Sequence, residues 1–90
     1  MRPVARVGDT HVCSNPHHPP NVIASGGSAT ADGRPIARVG DKCACGAVIV
    51  QGSSQASDDG KPIAYLGCAT RCGRYSGKIV SGSPNHRVKP

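Results

Sequence analysis

The chain has ninety residues and a formal net charge of +6, which bounds it at one domain. With twelve Gly, eight Pro, no Phe, no Trp and Leu66 as its single Leu, it shows no helical apolar periodicity, and Leu, Ile, Val and Phe stay below the ~20 % that usually separates folded from disordered chains. No apolar run approaches the ~18 residues that span a membrane, so so small a core needs a staple: disulfides, a metal or oligomerisation.

In chain order, residues 2–8 (R-P-V-A-R-V-G) read as a first strand. Pro3 lacks an N–H and suits a strand start. Alternation puts Ala5 and Val7 on one face, Val4 and Arg6 on the other. Gly8 and Asp9 end the strand, and residues 10–20 form a loop holding His11, Cys13, His17 and His18. Residues 22–26 return as a strand, and residues 27–32 lead into Asp32-Gly33. Asp-Gly between two apolar runs is a hairpin signal, because Gly takes a positive φ without steric cost.

The same plan then recurs. Residues 34–45 (R-P-I-A-R-V-G-D-K-C-A-C) closely copy residues 2–13 (R-P-V-A-R-V-G-D-T-H-V-C). A tight loop over 42–46 holds Cys43 and Cys45, an apolar strand follows, and Asp59-Gly60 repeats the turn. Residues 61–72 (K-P-I-A-Y-L-G-C-A-T-R-C) are a looser copy, with an insert at 73–77 and a strand from Lys78 to Ser83. The expectation is an all-β single domain over 1–90, with units at about 2–28, 34–54 and 61–83 and a loosely ordered tail at 84–90 containing a solvated His86. Equal strands joined by unequal loops suggest a scaffold whose loops carry function.

The strongest chemical signal is a spacing. Counted from Asp9, Asp41 and the aligned Cys68, a Cys recurs four residues on, at Cys13, Cys45 and Cys72. Three units around one axis would bring these thiols together, and a His from the long first loop would close a tetrahedral Cys₃His site for one structural Zn²⁺. The expected ligands are Cys13, His18, Cys45 and Cys72. His17 beside His18, Cys43 two residues from Cys45, Cys68 in place of Cys72, and His11 remain alternates. A site closed by four protein ligands leaves no position for substrate, so no enzyme is expected. A Cys–His thiol enzyme would need a cleft and an orienting third group, and neither stands out.

Met1-Arg2 is not followed by an apolar signal segment. Synthesis in the reducing cytoplasm is expected, where cysteines serve as metal ligands or catalytic thiols more often than as disulfides. The positive charge fits a basic face or an acidic protein partner. It also leaves a small basic zinc module acting on nucleic acid as an alternative, although only Tyr65 and Tyr75 could stack on bases.

The copies Pro3-Val4-Ala5-Arg6, Pro35-Ile36-Ala37-Arg38 and Pro62-Ile63-Ala64-Tyr65, each followed by Gly-Asp or Gly-Cys, resemble the PAAR-repeat family. The first two depart from the motif at its second letter, where Val4 and Ile36 replace Ala, and the third copy also lacks the Arg. The resemblance spans residues 2–83. It implies a conical β-pyramid of three pseudo-repeats, with zinc near its point. It further implies a flat base that docks on the blunt end of the trimeric β-helical spike of a type VI secretion system or a related contractile phage tail. Such a tip sharpens the spike for membrane puncture and can carry effector cargo. It is assembled in the cytoplasm and delivered outside with the spike. No added effector domain is expected within these ninety residues, and nucleic acid is not an expected partner of the tip.

Overall fold

The structure is a computed structural model that describes residues 1–90. It is all-β. Its strands are β1 (Arg2–Pro3), β2 (Thr10–Cys13), β3 (Asn21–Val22), β4 (Thr30–Ala31), β5 (Arg34–Pro35), β6 (Val48–Ile49), β7 (Ser57–Asp58), β8 (Lys61–Pro62), β9 (Ala69–Cys72), β10 (Tyr75–Ile79) and β11 (Arg87–Val88). The body measures 32 × 22 × 21 Å.

The strand expected over residues 2–8 is not one ladder. Its residues change partners: Val4 bridges to Tyr65, Arg6 to Ile36, and the equivalent Arg38 to Ile63. At the crossing point the three motif alanines bond in a closed ring. Ala5 N–H donates to the Ala64 carbonyl (3.0 Å), Ala64 N–H to Ala37 (2.9 Å) and Ala37 N–H to Ala5 (2.9 Å). All three are fully buried, and Val4 and Arg6 on either side of Ala5 are buried too. The two-sided alternation expected for this segment therefore fails, because each copy is enclosed by two neighbours instead of lying in one sheet.

Each copy then turns at a glycine in the left-handed region: Gly8 (φ 94°), Gly40 (φ 95°) and Gly67 (φ 97°). In the first copy Asp9 accepts hydrogen bonds from the Arg6 backbone N–H (2.7 Å), Nε (3.0 Å) and Nη2 (2.9 Å). Arg38 and Asp41 repeat this lock. The third copy keeps only its backbone part, with Tyr65 N–H donating to Cys68 Sγ at 3.3 Å. Burial opposes ionisation of Asp9, but the hydrogen bonds from Arg6 and Ser81 outweigh it and hold its carboxyl below the ordinary range. The unfolded chain therefore takes up the proton first as pH falls. The Asp9 contribution is complete above about pH 4 and is lost as pH drops through the lower folded value. Asp9→Asn is expected to cost about 2 kcal/mol at neutral pH. In denaturant melts its gap to the parent chain should close below about pH 4, and a gap that does not vary with pH would refute the assignment.

Residues 10–13, expected as loop, are strand β2. A five-stranded antiparallel sheet runs in the order β3-β2-β10-β9-β6. Tyr75, Ser76 and Gly77, expected as insert, belong to β10, which pairs Gly77 with Cys13 on one side and with Thr70 on the other. Gly77 is required there. A Cβ on it would lie 2.7 Å from Thr70 Oγ1 and 2.8 Å from His11 Nε2. The inner face packs Ile23, Ile49 and Ile79 into a core otherwise built from alanine, valine, cysteine and one tyrosine.

Three two-stranded ribbons complete the body. The pairs β4-β5 and β7-β8 close through Asp32-Gly33 (φ 55°, 80°) and Asp59-Gly60 (φ 53°, 77°), the double positive φ of the tightest hairpin turn. The third ribbon is β1 with β11, with Arg2 opposite Val88 and Pro3 opposite Arg87. The expected loose tail is thus a strand laid against the first one. Val88 is buried, and Val4 N–H donates to the His86 carbonyl at 2.9 Å. No helix is long and apolar enough to cross a membrane.

Candidate metal centre

Two of the cysteines are delivered by the sheet. Cys13 ends β2 and Cys72 ends β9, with β10 between them pairing Gly77 to Cys13 and Tyr75 to Cys72. Cys45 comes from the tight turn of the second unit. That turn is closed by Gly46 N–H donating to the Cys43 carbonyl (2.9 Å) and Cys43 N–H to Ala47 (2.8 Å), with Gly46 at φ 93°. His18 comes from the long first loop, where Asn15 sets the backbone. The Asn15 side chain accepts from His17 N–H (2.9 Å) and its carbonyl from His18 N–H (3.0 Å).

One ligand atom from each of Cys13, His18, Cys45 and Cys72 lies within 4.8 Å of the other three. The group could hold a metal ion. Cys72 Sγ stands 3.7 Å from His18 Nδ1. A tetrahedral ion with bonds of about 2.3 Å to sulfur and 2.0 Å to nitrogen gives a sulfur–nitrogen edge of about 3.5 Å. Three thiols and one imidazole are also a donor set that suits zinc. Burial, then the neighbouring Cys13 and Cys45, push the Cys72 thiol up. A cation among the three sulfurs would reverse that, since it favours the thiolates.

The alternates lie elsewhere. His17 is exposed, while His18 is half-buried. Cys43 and Cys45 do not share a side as an extended backbone would require, because the turn between them rotates Cys43 into the hydrophobic core. Burial first, and then Cys45, Cys13 and Cys72, push the Cys43 thiol up to about 12. Cys68 occupies the position of the locking Asp and is fully buried there. His11 is also fully buried, its Nε2 against Thr70 Oγ1 and its Nδ1 3.3 Å from Asn21 Oδ1. His86 is exposed and its Nε2 stands 3.7 Å from Asp32 Oδ1.

Two supporting residues had no place in the sequence reading. Asn15 was legible in principle, since an Asn before a Pro starts turns readily. Gly77 was not, because only the crossing of three strands makes a side chain impossible there.

The family model for the PAAR motif matches residues 1–51. That stretch holds the first two copies of the repeat, with Cys13, His18 and Cys45. No curated protein matches the chain.

Proposed function

The chain belongs to the PAAR-motif family, and from that premise we propose that it is a metal-stapled structural tip, capping and sharpening the trimeric β-helical spike of a type VI secretion system or related contractile injection machine. The observation that carries this reading is the convergence of Cys13 and Cys72 from the ends of β2 and β9, His18 from the first loop and Cys45 from the turn of the second unit. The ion proposed is one structural Zn²⁺. With four protein ligands it cross-links the loops and has no open corner for a substrate. A piercing element must be narrow and stiff, and an ion supplies stiffness where the apolar core is too small to do so.

The closed ring through Ala5, Ala37 and Ala64 supports a three-sided body in which each copy offers a similar edge. One such chain can meet three identical spike chains at once, by strand addition at exposed edges. The role proposed is mechanical, not enzymatic, with effector cargo as a further passenger. Assembly would take place in the cytoplasm and delivery would follow the spike. Tyr75, the more exposed of the two tyrosines, lies under the Arg74 guanidinium, 5.4 Å from ring centroid to Cζ, so one of its faces is already occupied by a cation.

The test is capture of the metal-loaded chain by a purified trimeric spike from a contractile system. The expected product is one chain per trimer, and mass photometry would read the stoichiometry. Three chains per trimer, or no complex with any spike trimer tried, would refute the capping role.

A further inference from the structure

The inner face of the five-stranded sheet is closed by His11, Thr70, Ile49 and Ile79, each no more than 1 % exposed. Its outer face is unusual. An antiparallel sheet with one wet side normally turns polar residues outward. Here cross-strand register places Val12 beside Lys78 and Val48 beside Arg71. Val22 pairs with Thr10 on the same side, while Val80 and Val50 follow by alternation from Lys78 and Val48. Val12, Val22, Val50 and Val80 are 41–48 % exposed. Between Val12, Lys78 and Val80 runs an open groove of ≈ 360 Å³.

The charges on this face have one sign. The chain's five acids are Asp9, Asp32, Asp41, Asp58 and Asp59; Asp58 ends β7 beside its hairpin turn, and the other four lie in the motif turns and hairpin turns. Its ion pairs use only Arg6, Arg38 and His86 as cations. Arg71 and Lys78 on the sheet, and Arg74 in the turn beyond Cys72, are exposed and form none of these pairs. The face therefore combines shallow β-branched apolar groups with uncompensated cations and runs up to the metal end.

We propose that this valine-and-cation face binds the surface of an anionic phospholipid bilayer. The cations meet the headgroup phosphates, and the valines seat at the boundary between headgroups and acyl chains. This deepens the spike-tip reading and rests on it for its biological setting, since it names the chemistry that the metal end would meet first. A nucleic acid would match the charge but would leave the valines without a partner.

The experiment uses the full, metal-loaded chain and flotation with vesicles of phosphatidylcholine alone or mixed with phosphatidylglycerol. Binding to the anionic vesicles only, weakening with salt, is expected. The double substitution Arg71→Gln with Lys78→Gln should reduce it about 25-fold, from about fivefold per cation. Val12→Ser with Val80→Ser should weaken it while leaving the salt slope unchanged. Metal content and melting temperature are measured on each variant, so that loss of binding is read only on folded protein. Equal binding to neutral vesicles, no binding to anionic ones, unchanged binding by the charge variant, or tighter binding to a DNA duplex at the same salt would each overturn the proposal. The same variants are carried through the spike capture. Capture retained with vesicle binding absent sinks the lipid face alone, whereas vesicle binding retained with capture absent sinks the spike reading alone.

Discussion

Cys45→Ser is expected to strip most of the metal from the chain and to lower its melting temperature by roughly 15 °C, from a loss of about 3 kcal/mol at 4–8 °C per kcal/mol. Cys45 is the one member of the candidate metal group on the short turn of the second unit, so a metal lost with it would leave that turn untied from Cys13, His18 and Cys72. Full chelation should go further. Structural zinc in small domains contributes about 10–16 kcal/mol of apparent binding energy, which matches or exceeds the ~5–15 kcal/mol by which a domain is stable. The chelated chain should therefore lose its folded signal in near-ultraviolet circular dichroism and regain it when zinc is restored. His17→Ala and His86→Ala are the controls, since both residues are exposed and outside the ligand group. Elemental analysis should find one metal per chain in the parent and in both controls. A Cys45→Ser chain that keeps its full metal content and melting point would refute the ligand assignment.

Deleting residues 84–90 is expected to destabilise the metal-loaded chain by about 5 kcal/mol, from the burial of one Val side chain (about 2 kcal/mol) and the loss of three hydrogen bonds worth about 1 kcal/mol each. The deletion removes β11 from beside β1, exposes the pocket that Val88 fills, and frees the Val4 N–H from the His86 carbonyl. It also removes the contact between Ser53 Oγ and the Lys89 carbonyl (2.5 Å) and that between Asn85 and Asp32 (2.9 Å). His86→Ala should cost almost nothing by comparison, because its side chain is exposed while only its backbone is engaged. Val88→Ala should fall between the two. Urea melts of the three variants give the ranking. A truncated chain as stable as the parent would mean that the third ribbon does not form in solution.

The three copies, the all-β class, the Asp32-Gly33 and Asp59-Gly60 turns and the cysteine recurring four residues past the motif turn could all be read from the residues. Each of these is a local signal: a positive φ needs Gly, and a repeated spacing needs only counting. The position of Cys68 in the locking-Asp slot was legible for the same reason. What the sequence left open turned on contacts between distant segments. Whether His17 or His18 faces the cysteines depends on how Asn15 bends its loop toward a site built by other strands. Cys43 and Cys45 are separated by one residue, and only the turn closed by Gly46 sends one to the core and the other to the ligand group. Residues 10–13 look like loop until β10 arrives, some sixty residues later, to pair with them. The tail looks dispensable until β1 is seen to need a partner edge. In a chain with so few large apolar residues, the individual segments carry little preference of their own, so the pairing of remote edges decides which of them become strands and which side chains meet.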